Sequence, residues 1–337
     1  MNSNRVVPKR MRRVVVSERD AVYHVMTRTA GQAYLFGARE KEMFRAHMLA
    51  VARFCGVEVL TFCLLDNHVH LLARVPGEVP ELTDAQLLDR CEGLYGGHEH
   101  SRHALTLEKI REALSFGGEV RERMRSNLIG RMCNLPMFVK LLKQRYSIWY
   151  NRTHDRHGTL WSGRFKSVLV EGTGLPLGLV AAYIDLNAVR AGIVSDPAKY
   201  RWCGYAEAVV SVKSACAGLH AIAGGDTPQE AVARYSVLLY CKGSAPGRGK
   251  PQDARIPPEL MEAVRQRFGS LTPFGQLRAR FRYATQGAIL GTAGFIESWF
   301  QKHRDFFAKR RSGPRKIRGG DWGDLRSFRD LQSLDGP

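Results

Sequence analysis

The spacing of hydrophobic and polar positions changes repeatedly along the first two hundred residues, and each change marks an element. "AVYHVMTRTA" (21 to 30) is β-branched and aromatic and predicts a strand. "AREKEMFRAHMLAVARFCG" (38 to 56) places apolar residues at helical spacing and closes on Gly56. "VEVLTFCLLD" (57 to 66) returns to strand character, and the Asp66-Asn67 pair turns it into a second strand that begins with "HVH". From about Gly77 to Pro136 strand character is lost, with "GGHEHSRH" and "SFGGEV" as polar loops between helical pieces, so residues 77–135 read as an insertion. "MFVKLLKQRYSIWYNRTH" (137 to 154) is helical and "GTLWSGRFKSVLVEG" (158 to 172) is a strand or hairpin bounded by glycines. "LPLGLVAAYIDLNAVRAG" (175 to 192) is a helix with Pro176 near its first turn and Gly192 at its C-cap.

The order β-α-β-β-α-β-α predicts an α+β fold of ferredoxin-like type, an antiparallel sheet covered on one face by helices. It makes residues 1–207 one domain. "PQEAVARYSVLLYC", "PPELMEAVRQRFG" and "GFIESWFQKHRDFFAKRR" are helical in pattern, so residues 228–337 are expected to form an α-rich, basic C-terminal domain.

Within these elements a few polar residues stand where apolar ones are the rule. Side chains alternate along a strand, so His68 and His70 share one face while Val69, Leu71, Ala73 and Val75 share the other, which faces a core. Two imidazoles side by side make half of a candidate metal site. "HEH" at His98 to His100 has the same spacing, but in a Gly-rich polar stretch it reads as a solvated loop. In the helix over 175–192, Tyr183 and Asn187 are four residues apart and lie on one face, while Leu179, Ala182, Leu186 and Val189 line another. Asn is poor in a helix interior because its side chain competes for backbone hydrogen bonds, so Asn187 calls for a partner. A metal ion held by the two histidines would be one, with the amide oxygen as third ligand and Tyr183 over the site.

Charge then narrows the class of partner. The 337 residues carry 51 Lys and Arg against 32 Asp and Glu, a formal charge of +19, and a polyphosphate such as nucleic acid is the commonest reason for such an excess. The charge is clustered: Arg5, Lys9, Arg10, Arg12 and Arg13 crowd the N-terminus, and "KRRSGPRKIRGG" near residue 315 reads as a solvated basic arm. "KLLKQRYSIWYNR" sets Lys143, Arg145 and Arg152 among aromatics, with Tyr146 and Tyr150 as packing or base-stacking residues. Arg164 and Lys166 alternate towards one face and could track a phosphate backbone. No apolar run approaches the roughly 20 residues of a membrane span, and the first residues lack an apolar signal segment, which points to a cytoplasmic, nucleoid-associated protein. Seven cysteines with no CxxC spacing indicate reduced thiols rather than a disulfide framework or zinc ribbon.

Taken together, "HVH" on a strand after an apolar hairpin, "HGTLWSGRFKS", and "AAYIDLNAVRAGIV" followed by "DPAKYRWCGYAEA" resemble the single-tyrosine HUH transposases. The similarity is strongest to the REP-associated tyrosine transposase branch and covers roughly residues 12 to 76 and 136 to 207. The resemblance implies Mg²⁺ or Mn²⁺ bound by His68, His70 and Asn187, with Tyr183 as nucleophile on single-stranded, hairpin-containing DNA. Its branch has a Tyr-Ile-x-x-Asn-Pro pattern, and here Ala188 stands in place of the proline, so the residue that would kink the helix is missing. The implied chemistry suits a phenol, whose pKa of about 10 lies well below that of a sugar hydroxyl: it attacks, keeps the bond energy as a 5′-phosphotyrosine and later departs without any nucleotide cofactor. Two other classes remain open on the residues alone. A non-catalytic nucleic-acid binder would want aromatics on the central strands, which the HVH strand lacks. A metal-dependent hydrolase would want a carboxylate near the histidines, and Asp66 is the near one in sequence, while Asp185 lies on a different helix face from Asn187. Monomer and homodimer are both compatible with the chain.

Overall fold

The structure, a computed structural model, describes residues 14–96, 101–240 and 258–269 and, with short gaps, 271–328. The basic N-terminal cluster, His98 to His100, Cys241 and most of the arm near residue 315 lie outside the described residues. In chain order the elements begin with β1 (Ala21–Arg28), α1 (Ala38–Cys55), β2 (Glu58–Leu64) and β3 (His68–Val75). The stretch 77–135 supplies α2 (Asp84–Tyr95), α3 (Ser101–Phe116) and α4 (Gly118–Ile129), followed by α5 (Leu135–Thr153), β4 (Lys166–Val170), α6 (Gly174–Asp185) and α7 (Asn187–Arg190). Then come α8 (Gly204–Val209), α9 (Lys213–Ala223), α10 (Pro228–Tyr240), α11 (Pro258–Phe268), α12 (Thr272–Gly275), α13 (Tyr283–Gln286), β5 (Ile289–Thr292), α14 (Ala293–Lys302), β6 (Arg315–Lys316) and β7 (Leu325–Phe328).

The fold is α+β, and its sheet runs β2-β3-β1-β4-β5-β7-β6. The first four strands are antiparallel neighbours, and β5 joins β4 in parallel. Apolar residues occupy both faces of the central strands. Tyr23, Val25, Val69 and Leu71 face a core shared with Phe44 of α1 and Phe138 and Tyr146 of α5. Val22, Met26, Leu72 and Val168 face a second core with Leu177, Leu179 and Val180 of α6. The expectation of helices on one face is therefore corrected: the sheet is covered on both, because both parities of β1 and β3 are apolar enough to demand it. Each fully buried Leu or Val on α6 contributes about 1.5–3 kcal/mol. Residues 176–185 are buried on every side of this helix, since α9 and α10 pack behind it.

Three further expectations change in detail. The strand or hairpin over 158–172 is a strand only from Lys166, preceded by a loop pinned to the end of β1 by the Thr29–Trp161 bridge. The helix over 175–192 breaks at Leu186 even without proline. Asn187 Nδ2 donates to the carbonyl oxygens of Tyr183 (3.1 Å) and Ile184 (3.2 Å), and Arg190 donates to that of Tyr183 at 2.6 Å, so side chains take the acceptors a continuous helix would use. The segment after residue 228 is not helical throughout, because β5, β7 and β6 extend the sheet and Ile289 and Phe328 enter its core.

Asp185 ties these layers together. Its fully buried carboxylate accepts from Thr61 Oγ1 of β2 at 2.9 Å, Tyr235 Oη of α10 at 2.6 Å and the Tyr205 backbone N–H of α8 at 3.1 Å. Burial still wins, pushing its pKa up to about 6 against the lowering effect of those bonds.

Candidate functional site

The face of β3 that meets α6 carries His68 and His70, and the strand register sets their neighbours. Arg28 of β1 lies opposite His68, and Met26 opposite His70, with Lys166 of β4 opposite Met26. His24, one step further along the same face of β1, brings its Nε2 to 2.8 Å from His70 Nδ1. The ring centroids of His24 and His70 are 5.1 Å apart, as are those of His68 and His70. Tyr183 of α6 stands over this group, its ring centroid 6.2 Å from His70 and 6.1 Å from His24. The guanidinium of Arg190 lies 3.9 Å over the Tyr183 ring. Tyr183, Asn187 and His70 are all buried, and His68 is partly exposed.

Burial dominates the electrostatics of the histidines. It lowers His24 to about 4, helped by Arg190, and His68 to about 4, helped by Arg28. His70 is pushed well below 6.5 by burial, then by the adjacent histidines and both arginines. All three imidazoles are therefore neutral at pH 7, the form that has a lone pair to give a metal.

Hydrogen bonds decide where that lone pair sits. Asn67 Nδ2 donates to the Gln32 carbonyl at 3.1 Å, which turns its Oδ1 to His68 Nδ1 at 2.6 Å. His68 Nδ1 thus carries the proton, which leaves the lone pair on Nε2. His70 Nδ1 is engaged by His24, so its Nε2 is the nitrogen outside that contact. Asn187 spends Nδ2 on the helix carbonyls, so its Oδ1 is the atom left to offer. Among the described residues no three His, Cys, Asp or Glu side chains form a metal cluster. Two imidazole nitrogens and one amide oxygen would be a mixed donor set, in which the amide oxygen suits Mg²⁺ or Mn²⁺ and the imidazoles suit transition metals. The carboxylates a water-activating hydrolase needs are committed elsewhere: Asp66 is held by Lys41 at 2.5 Å, and Asp185 faces Thr61, Tyr235 and Tyr205.

The predicted DNA-contact residues separate into groups. Lys143 and Arg164 line a cleft of about 660 Å³ with Lys140, Thr159, Trp161 and Phe165, and the Lys143 ammonium lies 5.3 Å from the Trp161 ring centroid. The loop of this cleft is bonded to β1 through Ser162 N–H to the carbonyl of Arg28, the strand partner of His68, at 2.9 Å. Lys166 and Arg152 are exposed. Arg145 points away from the cleft, donating to the Leu94 carbonyl at 2.6 Å and lying over Tyr95 of the insertion. Tyr146 is fully buried, its hydroxyl donating to the Glu40 carbonyl at 3.0 Å, and Tyr150 is buried against His154, so both pack rather than stack on bases. His24, Arg28 and Arg190 carried no signal of function in the sequence. The one available hint was that His24 has the same strand parity as the buried Val22 and Met26.

No family's sequence profile matches the chain, and no curated protein does. A solved structure of a REP-associated tyrosine transposase bound to a REP hairpin is similar over 60% of this chain and 86% of its own, at 13% identity and a TM-score of 0.34. A likeness at that level does not argue function, so the geometry of the site must. Among the described residues no helix is long and apolar enough to cross a membrane.

Proposed function

We propose that this chain is a metal-dependent single-stranded DNA nuclease and strand transferase acting through a tyrosine, on hairpin-containing DNA. The observation that carries the proposal is the pairing of two imidazoles, each with Nδ1 hydrogen-bonded and Nε2 left over, with a tyrosine ring 6.2 Å from one of them under an arginine. The motif resemblance supports the same reading. We take the first four strands as a ferredoxin-like core within a catalytic unit of residues 1–207, and the segment 228–337 as its support.

His68, His70 and Asn187 would hold Mg²⁺ or Mn²⁺, which when bound neutralises charge on the scissile phosphate and orients it. Arg28 and Lys166 flank that face and would hold phosphate oxygens, while the cleft of Lys140, Lys143 and Arg164 with Trp161 would carry the adjoining strand. Tyr183 Oη attacks phosphorus, the P–O3′ bond breaks, and the proton lost by the phenol is balanced by the one gained by the departing 3′ oxygen. Arg190, over the ring, would stabilise the negative charge that the phenol oxygen takes up. Rejoining reverses the step when another 3′-hydroxyl attacks the phosphotyrosine. An RNA-recognition type of binding sheet is disfavoured, because such a sheet needs an open face and both faces here are covered.

The test is incubation with hairpin oligonucleotides drawn from the flanks of the chain's own gene. A denaturant-resistant protein–DNA adduct that requires Mg²⁺ or Mn²⁺ is expected. Tyr183→Phe, which removes one oxygen, should abolish the adduct while leaving fold and DNA binding in place. Free ends with no adduct would point to a hydrolase, and no cleavage across a fair substrate set to a binding protein.

A further inference from the structure

His24 lies outside the HxH motif, is fully buried and is bonded at both ring nitrogens. We propose that His24 is a positioning residue that fixes the tautomer of His70, and that the C-terminal segment sets it through the backbone carbonyl of Ala284. The inference rests on reading His70 as a metal ligand, and it assigns roles to a strand residue and to α13 that the motif does not.

Donors and acceptors form a chain through the site. His24 Nδ1 lies 2.7 Å from the Ala284 carbonyl oxygen, which can only accept. His24 Nδ1 must therefore carry a proton. A bare nitrogen there would set two lone pairs against each other at hydrogen-bond distance in a site closed to water. With Nδ1 protonated and the ring neutral, His24 Nε2 is an acceptor, and the group it faces at 2.8 Å, His70 Nδ1, must be the donor. His70 is then an Nδ1–H imidazole whose lone pair is on Nε2. Each link is direct, and the links join residues 284, 24 and 70, which the sheet and α13 alone bring together.

His68 reaches the same tautomer by a local route, from Asn67 next to it in sequence. The two ligands thus have matched tautomers, one held by a neighbour in the chain and the other by an element more than 200 residues away. The segment beyond residue 228 thereby gains a specific role, because it caps the far end of the relay and fixes its direction.

The relay can be read without metal. Long-range ¹⁵N–¹H correlation spectra of the metal-free wild-type protein near pH 7.5 separate protonated from bare ring nitrogens, and both His24 and His70 should appear as Nδ1–H tautomers. An Nε2–H form of His70 overturns the proposal without any variant. In His24→Phe, which keeps a ring but loses the acceptor, the His70 tautomer should become mixed or invert, and the Mn²⁺ dissociation constant, followed by paramagnetic resonance, should rise about 10- to 100-fold. His24→Gln, with an amide oxygen that can accept from His70, should recover most of the affinity. Unchanged Mn²⁺ affinity in a folded His24→Phe protein overturns the positioning role and leaves the metal site standing. Absence of Mn²⁺ binding by the wild type removes the metal site, and with it the purpose given to His24, even if the tautomer is as described. If His24→Phe does not fold, the wild-type spectra and the Gln variant decide the matter.

Discussion

At the scale of single residues, one buried carboxylate and the site histidines drive stability in opposite directions with pH. Asp185 rises from 3.8 to about 6 in the folded chain, so the native state holds its proton more tightly. Its contribution is complete below about 3.8 and is lost as pH rises through about 6, an effect of about 3 kcal/mol. His24 and His68 fall from 6.5 to about 4, so their contribution is present above 6.5 and is lost as pH falls through about 4. That is roughly 3 kcal/mol each, and His70 acts in the same direction. Several histidines outweigh one carboxylate, and the metal-free protein should lose stability on acidification from pH 6.5 to 4.5. Asp185→Asn removes the opposing contribution, so its urea midpoint should fall more steeply with acid than that of the wild type. A shallower fall in the variant would show that Asp185 is not protonated preferentially in the native state.

At the scale of elements, the break between α6 and α7 is made by side chains rather than by a proline. Leu186 has φ −80° and ψ 0°, and Asn187 and Arg190 take the carbonyl of Tyr183. Asn187→Ala loses two hydrogen bonds of about 0.5–1.5 kcal/mol each and regains roughly 0.6 kcal/mol of helix propensity, so a net loss of about 1 kcal/mol is expected. It should also lose most Mn²⁺ affinity. Asn187→Asp keeps an oxygen for the metal but turns a second acceptor towards the Tyr183 and Ile184 carbonyls, so it should be the less stable variant and the better metal binder. Urea titrations and Mn²⁺ titrations on both proteins check this, and parallel losses in both would mean that Asn187 has one role only. The spacing of Tyr183 and Asn187 was legible in the sequence because four residues make about one helical turn. The break was not, because it depends on which carbonyls the side chains reach.

At the scale of the whole molecule, a charge of +19 would make the proposed binding to single-stranded DNA strongly dependent on salt. Replacing Lys140, Lys143 and Arg164 by Ala removes three cations around one cleft. The slope of log K against log salt should shrink by about 2, at roughly 0.7 for each phosphate contact on a single strand. Arg145→Ala is the internal control: its guanidinium is bonded to Leu94 and lies over Tyr95, so it should lower stability without changing the slope. Anisotropy of a labelled hairpin oligonucleotide across a salt series measures both, and an unchanged slope in the triple variant would move the DNA path away from the cleft.

By itself the sequence determined what short-range periodicity can determine. Alternation put His68 and His70 on one face of β3, helical spacing put Asn187 one turn after Tyr183, and the basic excess pointed to a polyphosphate partner. Most of the elements in the first two hundred residues were also legible, since each carries its own period. Tertiary structure decided the rest. Nothing in "AVYHVMTRTA" sets the register that brings His24 to His70, because register is fixed by long-range pairing of β1 with β3 and by the turn between β2 and β3. Nothing local sent β5 to pair with β4 across more than a hundred residues. The contacts from Ala284 to His24 and from His24 to His70 have the same origin: a period fixes which side of an element a residue takes, and only packing fixes what it meets there.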